Sequence, residues 1–271
     1  MSATPPFQPT PYSGVNAALQ AVLTGAQAVL GEQFSGMILH GSLANGDFEP
    51  GRSDIDFLVV TASELPAELL PALAAMHACI TASGLEWAAH LEGSYIPRDA
   101  LRRYDPAHNQ HPALRVDGSF AVDGHGSDWV IQRAIIREKG IALAGPAAHS
   151  LIDPVPPGEL RQAALGILRE WWAPKLVDTS SLDSDEYQAY AVLTMCRSLY
   201  TLRLGAVATK PAAARWAEQA LDPRWTGLIE RALAWRHGMV LDRKEETLEL
   251  IRFTLDQAES PDSHPFARFV V

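Results

Sequence analysis

The sequence has little of several features that mark specialised classes of protein. Only 2 of its 271 residues are cysteine, Cys79 and Cys196, which argues against a disulfide framework or a thiolate metal site. We expect both side chains to be small buried hydrophobes. No run approaches the roughly 20 apolar residues that cross a bilayer, and the first residues lack the basic and apolar segments of a secretory signal. These absences predict a cytoplasmic protein without a membrane partner.

Positive charge is also scarce. The chain has 22 Lys and Arg against 32 Asp and Glu, a formal net charge of −10 and a pI of about 5.3. No basic patch offsets this charge, and an acidic protein repels the phosphates of nucleic acids. We therefore expect no nucleic-acid partner. A cationic or neutral small substrate fits better, although many cytoplasmic enzymes are acidic for solubility alone.

The order of predicted elements indicates an α+β protein with two domains, at residues 1–155 and 156–271. Helices and strands alternate in the first half, which is typical of an α/β domain with a mixed sheet. The stretch 105–126 is predicted to be an irregular loop, and 142–146 with 153–157 a linker. A C-terminal α-helical bundle follows. The expected elements are helices at 14–30, 63–83 (bent or split at Pro71), 127–140, 159–172, 184–204, 211–220, 223–237 and 243–259, and strands at 36–40, 55–61 and 85–96.

A pair of carboxylates opens the apolar run 55–61. Asp54 and Asp56 flank Ile55, so both side chains project from one face of the predicted strand. Mg²⁺ prefers oxygen ligands and is commonly held by one or two carboxylates together with substrate phosphates. The pattern predicts a magnesium site at these two residues. The alternative is an exposed strand end with turn-forming residues nearby.

A Gly-Ser pair, Gly41 and Ser42, follows the preceding strand. Glycine leaves the backbone amides unhindered, and the serine hydroxyl adds a further polar group, so the pair suits phosphate oxygens. Either pattern alone is weak, because Asp-x-Asp and Gly-Ser are both common. Together, in the context of two strands, they predict a site for a nucleoside triphosphate with magnesium.

These motifs resemble those of the nucleotidyltransferases of the DNA polymerase beta-like superfamily, specifically the aminoglycoside adenylyltransferases that modify streptomycin and spectinomycin. The similarity runs from about residue 15 to residue 240 and is dense only in a few blocks. It implies an N-terminal nucleotidyltransferase domain and a C-terminal helical domain, with the active site between them. The blocks that carry it are residues 39–42, 53–59, 140–146, 153–156, 192–197, Lys210 and 214–217.

The resemblance also implies roles for individual residues, and it implies that ATP is the co-substrate. The implied residues are Asp54 and Asp56 for Mg²⁺, Glu92 as the catalytic carboxylate, Gly41 and Ser42 for the triphosphate, and Arg197 and Lys210 for the nucleotide.

Glu92 is supported by the chemistry as well. An attacking hydroxyl has a pKa far above 7, so it needs a positioned acceptor or a metal to become a nucleophile. A carboxylate on the predicted strand 85–96, beside the strand of the aspartates, could reach it. Glu86 falls on the same predicted face and is the alternative. Because Glu92 is farther along the strand, we favour it.

The chain departs from the family pattern where the acceptor would bind. The relatives carry an acidic residue shortly before the Leu-Thr-x-x-Arg block, where this chain has the stretch 187–190 with tyrosines at both ends. The loop 103–126 also lacks the tryptophan that those relatives present to the drug. His108 and His111 have no evident third ligand, so we assign no metal to them. Core positions are expected for four tryptophans, Trp171, Trp172, Trp216 and Trp235.

The sequence thus predicts a magnesium-dependent nucleotidyltransferase that transfers AMP from ATP to a hydroxyl of a small, cationic, aminoglycoside-like substrate. Two alternatives stay open: an adenylyltransferase that acts on a protein partner, as in toxin-antitoxin pairs, and a nucleotide-binding regulator without turnover. The identity of the acceptor and the oligomeric state are not indicated by the sequence.

Overall fold

The computed structural model describes residues 7–51 and 53–259. The chain divides into two compact units between Pro154 and Val155. A mixed sheet with helices forms the first unit and helices form the second, so the predicted α+β class is confirmed. Among the described residues, no helix has the length and apolar character needed to span a membrane.

The first unit is built on a 6-stranded sheet in the order β5-β4-β3-β2-β1-β6. Strands β2 and β3 are parallel, and the other neighbouring pairs are antiparallel. The strands are β1 (Phe34–Leu39), β2 (Ile55–Thr61), β3 (Leu91–Pro97), β4 (Gln110–Leu114), β5 (Phe120–Gly124) and β6 (Ile141–Ala144). The helices are α1 (Ser13–Leu30), α2 (Gly41–Asn45), α3 (Leu70–Thr81), α4 (Arg98–Arg102), α5 (Asp128–Lys139) and α6 (Ala148–Leu151).

Alternation along the central strands gives the sheet two apolar faces. In β2, Ile55, Phe57 and Val59 belong to the core that includes residues of α1 and α3. Leu58 and Val60 belong to a second core with residues of α5 and α6. Because side chains alternate along a strand, Asp56 lies on the face of Leu58 and Val60, at the N-terminal end of β2.

Several local predictions were wrong. The predicted helix 63–83 is shorter and is divided directly before Pro71 into a 3₁₀ turn over Ala67–Leu69 and α3, with Pro71 in the first turn of α3, where a missing N–H costs nothing. The third strand begins at Leu91, after a 3₁₀ turn over Ala88–His90. Glu86 precedes that turn and is not on the strand, so it is no longer an alternative to Glu92 as the candidate catalytic carboxylate.

The stretch 105–126 was also mispredicted. It contains the antiparallel hairpin of β4 and β5, and β6 occupies part of the expected linker at 142–146. Both errors have the same cause: these strands are short and lie at or near the sheet edges, so none of them shows a clear alternation of polar and apolar residues.

The second unit is helical, as predicted. Its core contains the buried side chains Trp172, Leu193, Ile229 and Ile251. A π-helical segment over Leu168–Trp172 follows α7 directly. The helices are α7 (Pro157–Ile167), α8 (Asp185–Leu204), α9 (Lys210–Ala220), α10 (Thr226–Ala234) and α11 (Lys244–Glu259).

Two expectations of burial were wrong in part. Cys196 is buried in α8, but Cys79 of α3 is exposed. Trp172 and Trp235 are core residues and Trp216 packs against the core, whereas Trp171 is 54% exposed. Helical periodicity places a residue on a face, but it does not say whether another element covers that face.

Candidate active site

The acidic site is built on the parallel pair of strands. Asp56 and Glu92 are direct partners in the register of β2 and β3, one pair after Ile55 and Leu91. Partners in a sheet lie on the same face, so their carboxylates project side by side. Asp54 precedes β2 and lies at the same end. The structure therefore brings together the three carboxylates that the sequence selected.

The electrostatics of Glu92 follow from this arrangement. Its side chain is exposed at the end of the strand, yet the surrounding protein excludes part of its water and two aspartates lie close by. Desolvation is the largest cause that raises the pKa of Glu92 to about 7, followed by the charges of Asp56, Asp54 and Asp123. A carboxylate with a pKa near neutrality is suited to accept and release a proton.

Gly41 brings the backbone against the acidic site. It has a φ of 65°, a conformation that L side chains rarely adopt. A Cβ added there would lie 1.8 Å from Oδ2 of Asp56 and 2.5 Å from its Cγ. Only glycine allows this approach. The backbone amide of His40 also donates a hydrogen bond of 3.0 Å to the carbonyl of Asp56, which joins the end of β1 to the start of β2.

Two polar groups beside Gly41 are buried without a partner. Within the described residues, Oγ of Ser42 and Nε2 of His40 make no hydrogen bond. Burial lowers the pKa of His40 to about 4, against the opposing effect of a hydrogen bond to the Phe57 backbone. Buried polar atoms that lack a protein partner are costly and call for another partner, such as a ligand or water. Ser42 thus fits the predicted contact with phosphate.

The structure adds two residues that sequence reasoning missed. His90 lies in the 3₁₀ turn before β3, with Nδ1 3.8 Å from Oδ1 of Asp54. Asp123 lies on β5 and its charge reaches Glu92. His90 was visible in sequence only as a neighbour of Glu92. Asp123 gave no usable signal, because the hairpin that places it was predicted to be a loop.

The residues fit a divalent cation. The donors are carboxylate oxygens, which Mg²⁺ prefers, and the mutual repulsion that raises the pKa of Glu92 is what a bound cation would relieve. No cluster of three or more His, Cys, Asp or Glu side chains in residues 7–51 and 53–259 is arranged to hold a metal ion. A cation at Asp54 and Asp56 would therefore take further ligands from phosphate and water.

Arg197 and Lys210 lie in the second unit, on α8 and at the start of α9. Nζ of Lys210 is 5.6 Å from the centre of the Tyr190 ring. Thr209 caps α9 by accepting a hydrogen bond from the backbone amide of Ala212. The predicted contact of these two cations with the nucleotide stays a prediction.

Models of known protein families match segments in both halves of the chain. Residues 32–108 match the model of the nucleotidyltransferase domain, and residues 150–258 match that of the aminoglycoside adenylyltransferase C-terminal domain. The chain is similar to an aminoglycoside (3'') (9) adenylyltransferase of Rhizobium radiobacter, with 27% identity over 87% of this chain and 89% of that protein. A spectinomycin 9-adenylyltransferase of Campylobacter jejuni is 25% identical over 88% of this chain and 93% of its own length.

A solved structure shares the fold. It is a crystal structure of a spectinomycin adenyltransferase from Enterococcus faecialis with ATP and spectinomycin, with a TM-score of 0.70. The match covers 90% of this chain and 98% of that chain at 18% identity.

Proposed function

Since this chain belongs to the aminoglycoside adenylyltransferase family of nucleotidyltransferases, we propose that it transfers AMP from ATP to a hydroxyl of a cationic, aminoglycoside-like acceptor in a magnesium-dependent reaction. The observation that carries the proposal is the register pairing of Asp56 with Glu92. It places a candidate metal ligand and a candidate proton acceptor on one face of the sheet.

Asp54 and Asp56 are the residues that would hold Mg²⁺. When bound, the ion neutralises charge on the triphosphate and on the leaving pyrophosphate. The backbone at Gly41 and the hydroxyl of Ser42 bind the triphosphate oxygens. These contacts orient the α-phosphorus toward the acceptor and suit a reaction whose catalysis depends on positioning and on stabilisation of charge.

Glu92 accepts the proton of the attacking hydroxyl. The acceptor oxygen forms a bond to the α-phosphorus, the bond from that phosphorus to the bridging oxygen breaks, and pyrophosphate leaves. The hydroxyl proton passes to the Glu92 carboxylate, whose raised pKa of about 7 suits a general base near neutral pH. The products are an AMP ester of the acceptor and pyrophosphate.

A cationic acceptor is supported by charge. The chain has a formal net charge of −10, and the charges of Asp54, Asp56 and Asp123 all act on Glu92. An acidic site attracts a cation and raises its local concentration. Relatives named for aminoglycosides and spectinomycin point to the same class of acceptor.

The proposal is tested by measuring pyrophosphate release from ATP and Mg²⁺ across a panel of aminoglycosides and spectinomycin. We expect release with at least one drug, its loss in Asp56→Asn, and unchanged release in Glu68→Gln, which removes an exposed carboxylate from the turn before α3. If ATP binds with magnesium but no drug stimulates pyrophosphate release, the proposed class of acceptor is wrong. The acceptor is then a protein or another small molecule.

A further inference from the structure

An ion pair crosses the β4–β5 hairpin beside the catalytic carboxylate. Arg115 immediately follows β4, and Asp123 lies on β5. Nε of Arg115 donates to Oδ2 of Asp123 at 2.8 Å, and Nη2 donates to Oδ1. The two side chains are 47% and 31% exposed, so the pair can be reached from solvent. A guanidinium that binds both carboxylate oxygens leaves little of that carboxylate for a ligand.

The register places this pair on the far side of Glu92 from the aspartates. The strand order places β4 and β5 on the side of β3 opposite β2, and Arg115 directly follows Leu114, the register partner of Gly93. Asp56 flanks Glu92 on the other side. If the metal and the triphosphate occupy the side of Asp54 and Asp56, the acceptor hydroxyl must approach Glu92 from the side of the hairpin.

A buried imidazole beside Asp123 supports a ligand there. His111 is the register partner of Asp123, and it is 1% exposed. Within the described residues, neither ring nitrogen of His111 reaches a partner with good hydrogen-bond geometry, although the His108 backbone lies close enough to act on the ring. Burial, followed by the charge of Arg133, lowers the pKa of His111 to about 4, against a smaller opposing effect of the His108 backbone, so the ring is neutral at pH 7. The register partner of Asp123 thus carries no positive charge that would compete with a cation at that carboxylate.

We propose that Asp123 binds an ammonium group of the acceptor, and that Arg115 is an internal counter-ion which this ammonium displaces. The inference rests on the proposed function and adds a specificity-determining residue on the acceptor side. The exchange replaces one exposed ion pair by another, and such pairs are each worth about 1 kcal/mol or less. Displacement of Arg115 is therefore inexpensive, and it makes Asp123 selective for cations.

Substitutions of the two residues of the ion pair should change the KM of the acceptor in opposite directions. Arg115→Gln removes the competitor and lowers the KM of the acceptor, and Asp123→Asn removes the binding group and raises it, each by up to about fivefold for an ion pair of this kind. The KM of the acceptor for the double variant should equal that of Asp123→Asn. Once the Asp123 carboxylate is gone, the loss of Arg115 has no further effect on acceptor binding. The KM of ATP should not change in any of the three.

A merely structural ion pair gives a different pattern. Both single variants would then lose the same hairpin contact, and the KM of the acceptor would move in the same direction or not at all, which overturns the inference. Asp153→Asn is the matched control, since it breaks the exposed ion pairs of Asp153 with Arg102 and Arg103 and should leave the KM of the acceptor unchanged. Thermal melting checks that every variant is folded.

The experiment separates this inference from the proposed function. Pyrophosphate release by the wild type with a cationic drug, combined with KM changes of the same sign in both single variants, retains the function and overturns the role of Asp123. Absence of release by the wild type with every drug overturns the proposed function, and the inference with it. Opposite changes in KM support both.

Discussion

Asp56 and Glu92 are register partners on two parallel strands, so the structure sets two carboxylates side by side on one face of the sheet. Desolvation raises the pKa of Glu92 to about 7, and the repulsion between the two carboxylates adds to this effect. Such an arrangement costs stability. The proposed function accounts for it, because a bound cation and a proton acceptor would both need these charges.

Removal of the Glu92 charge should abolish activity and stabilise the metal-free protein. Glu92→Gln keeps the shape of the side chain but cannot accept the proton, and we expect kcat to fall by about 10²–10⁴. In a chelator at pH 8, its melting temperature should exceed that of the wild type, since one of the mutually repelling charges is gone. Paired measurements of pyrophosphate release and melting test this; a lower melting temperature for Glu92→Gln would contradict the repulsion.

Gly41→Ala tests the close approach to Asp56. The new Cβ would lie 1.8 Å from Oδ2 of Asp56, so the backbone or the carboxylate must move, and we expect at least a tenfold loss of kcat/KM, a size typical of a misplaced reacting group. Gly46→Ala is the matched control, because Gly46 has a φ of 80° but nothing within 4 Å of its added Cβ. That control should lose only about 1 kcal/mol of unfolding free energy from its backbone conformation. Equal loss of activity in both variants would show that strain alone is responsible.

Ser42→Ala should affect ATP binding and leave stability intact. Within the described residues, the buried Oγ of Ser42 has no hydrogen-bond partner, so its loss removes no contact of the folded protein. If the hydroxyl binds phosphate, the KM of ATP should rise about tenfold, the value of one hydrogen bond to a charged group. Steady-state kinetics with varied ATP, together with urea unfolding, separate the two effects. A fall in stability with an unchanged KM would assign Ser42 a structural role.

Lys210→Gln should also raise the KM of ATP. A lysine at the start of α9 faces the positive end of the helix dipole, which disfavours a cation by a few tenths of a kcal/mol or more. A bound triphosphate would offset this cost, and Nζ of Lys210 also contacts the ring of Tyr190. Lys244→Gln is the control, because Lys244 also begins a helix and pairs with Asp183 at 2.6 Å. We expect that control to bind ATP as the wild type does; equal kinetics in all three proteins would remove Lys210 from the site.

The buried His77 predicts a loss of stability in acid. Its Nε2 lies 2.7 Å from the hydroxyl of Tyr95, and its ring stacks on Phe57 and Phe120. Burial lowers the pKa of His77 to about 4, so the folded state keeps the ring neutral while the unfolded state takes up a proton below its pKa of about 6.5. The contribution of His77 to the free energy of unfolding is complete above pH 6.5. It falls as the pH drops from 6.5 to 4, by at most about 3 kcal/mol.

His77→Phe checks this assignment. The variant loses the hydrogen bond to Tyr95 and should be less stable than the wild type at pH 8, where the histidine is neutral in both states. The difference should shrink as the pH falls from 6.5 toward 4, because only the wild type loses the contribution of His77. Urea unfolding at a series of pH values measures both curves. Parallel curves would mean that His77 does not titrate between the two states.

Much of the candidate active site was determined by the sequence alone. Glycine at position 41 and the carboxylates at 54 and 56 were selected by residue type and spacing, and a strongly apolar β-branched run such as 55–61 forms a strand wherever it is buried. The prediction of that strand, with bounds Ile55–Thr61, is confirmed. So is the prediction that Glu92 lies on the neighbouring strand. These features depend on residue type, alternation and short spacing, which a sequence contains directly.

Only the tertiary structure decided what lies beside these residues. The pairing of Asp56 with Glu92, the exclusion of Glu86 and the position of Arg115 and Asp123 all follow from strand register, which is set by hydrogen bonds between segments far apart in the chain. The β4–β5 hairpin could not be predicted, because its two strands are short, show no clear alternation and gain their structure from the neighbouring strands. The same holds for burial: the exposed Trp171 and the buried Trp172 are adjacent in sequence, and packing alone separates them.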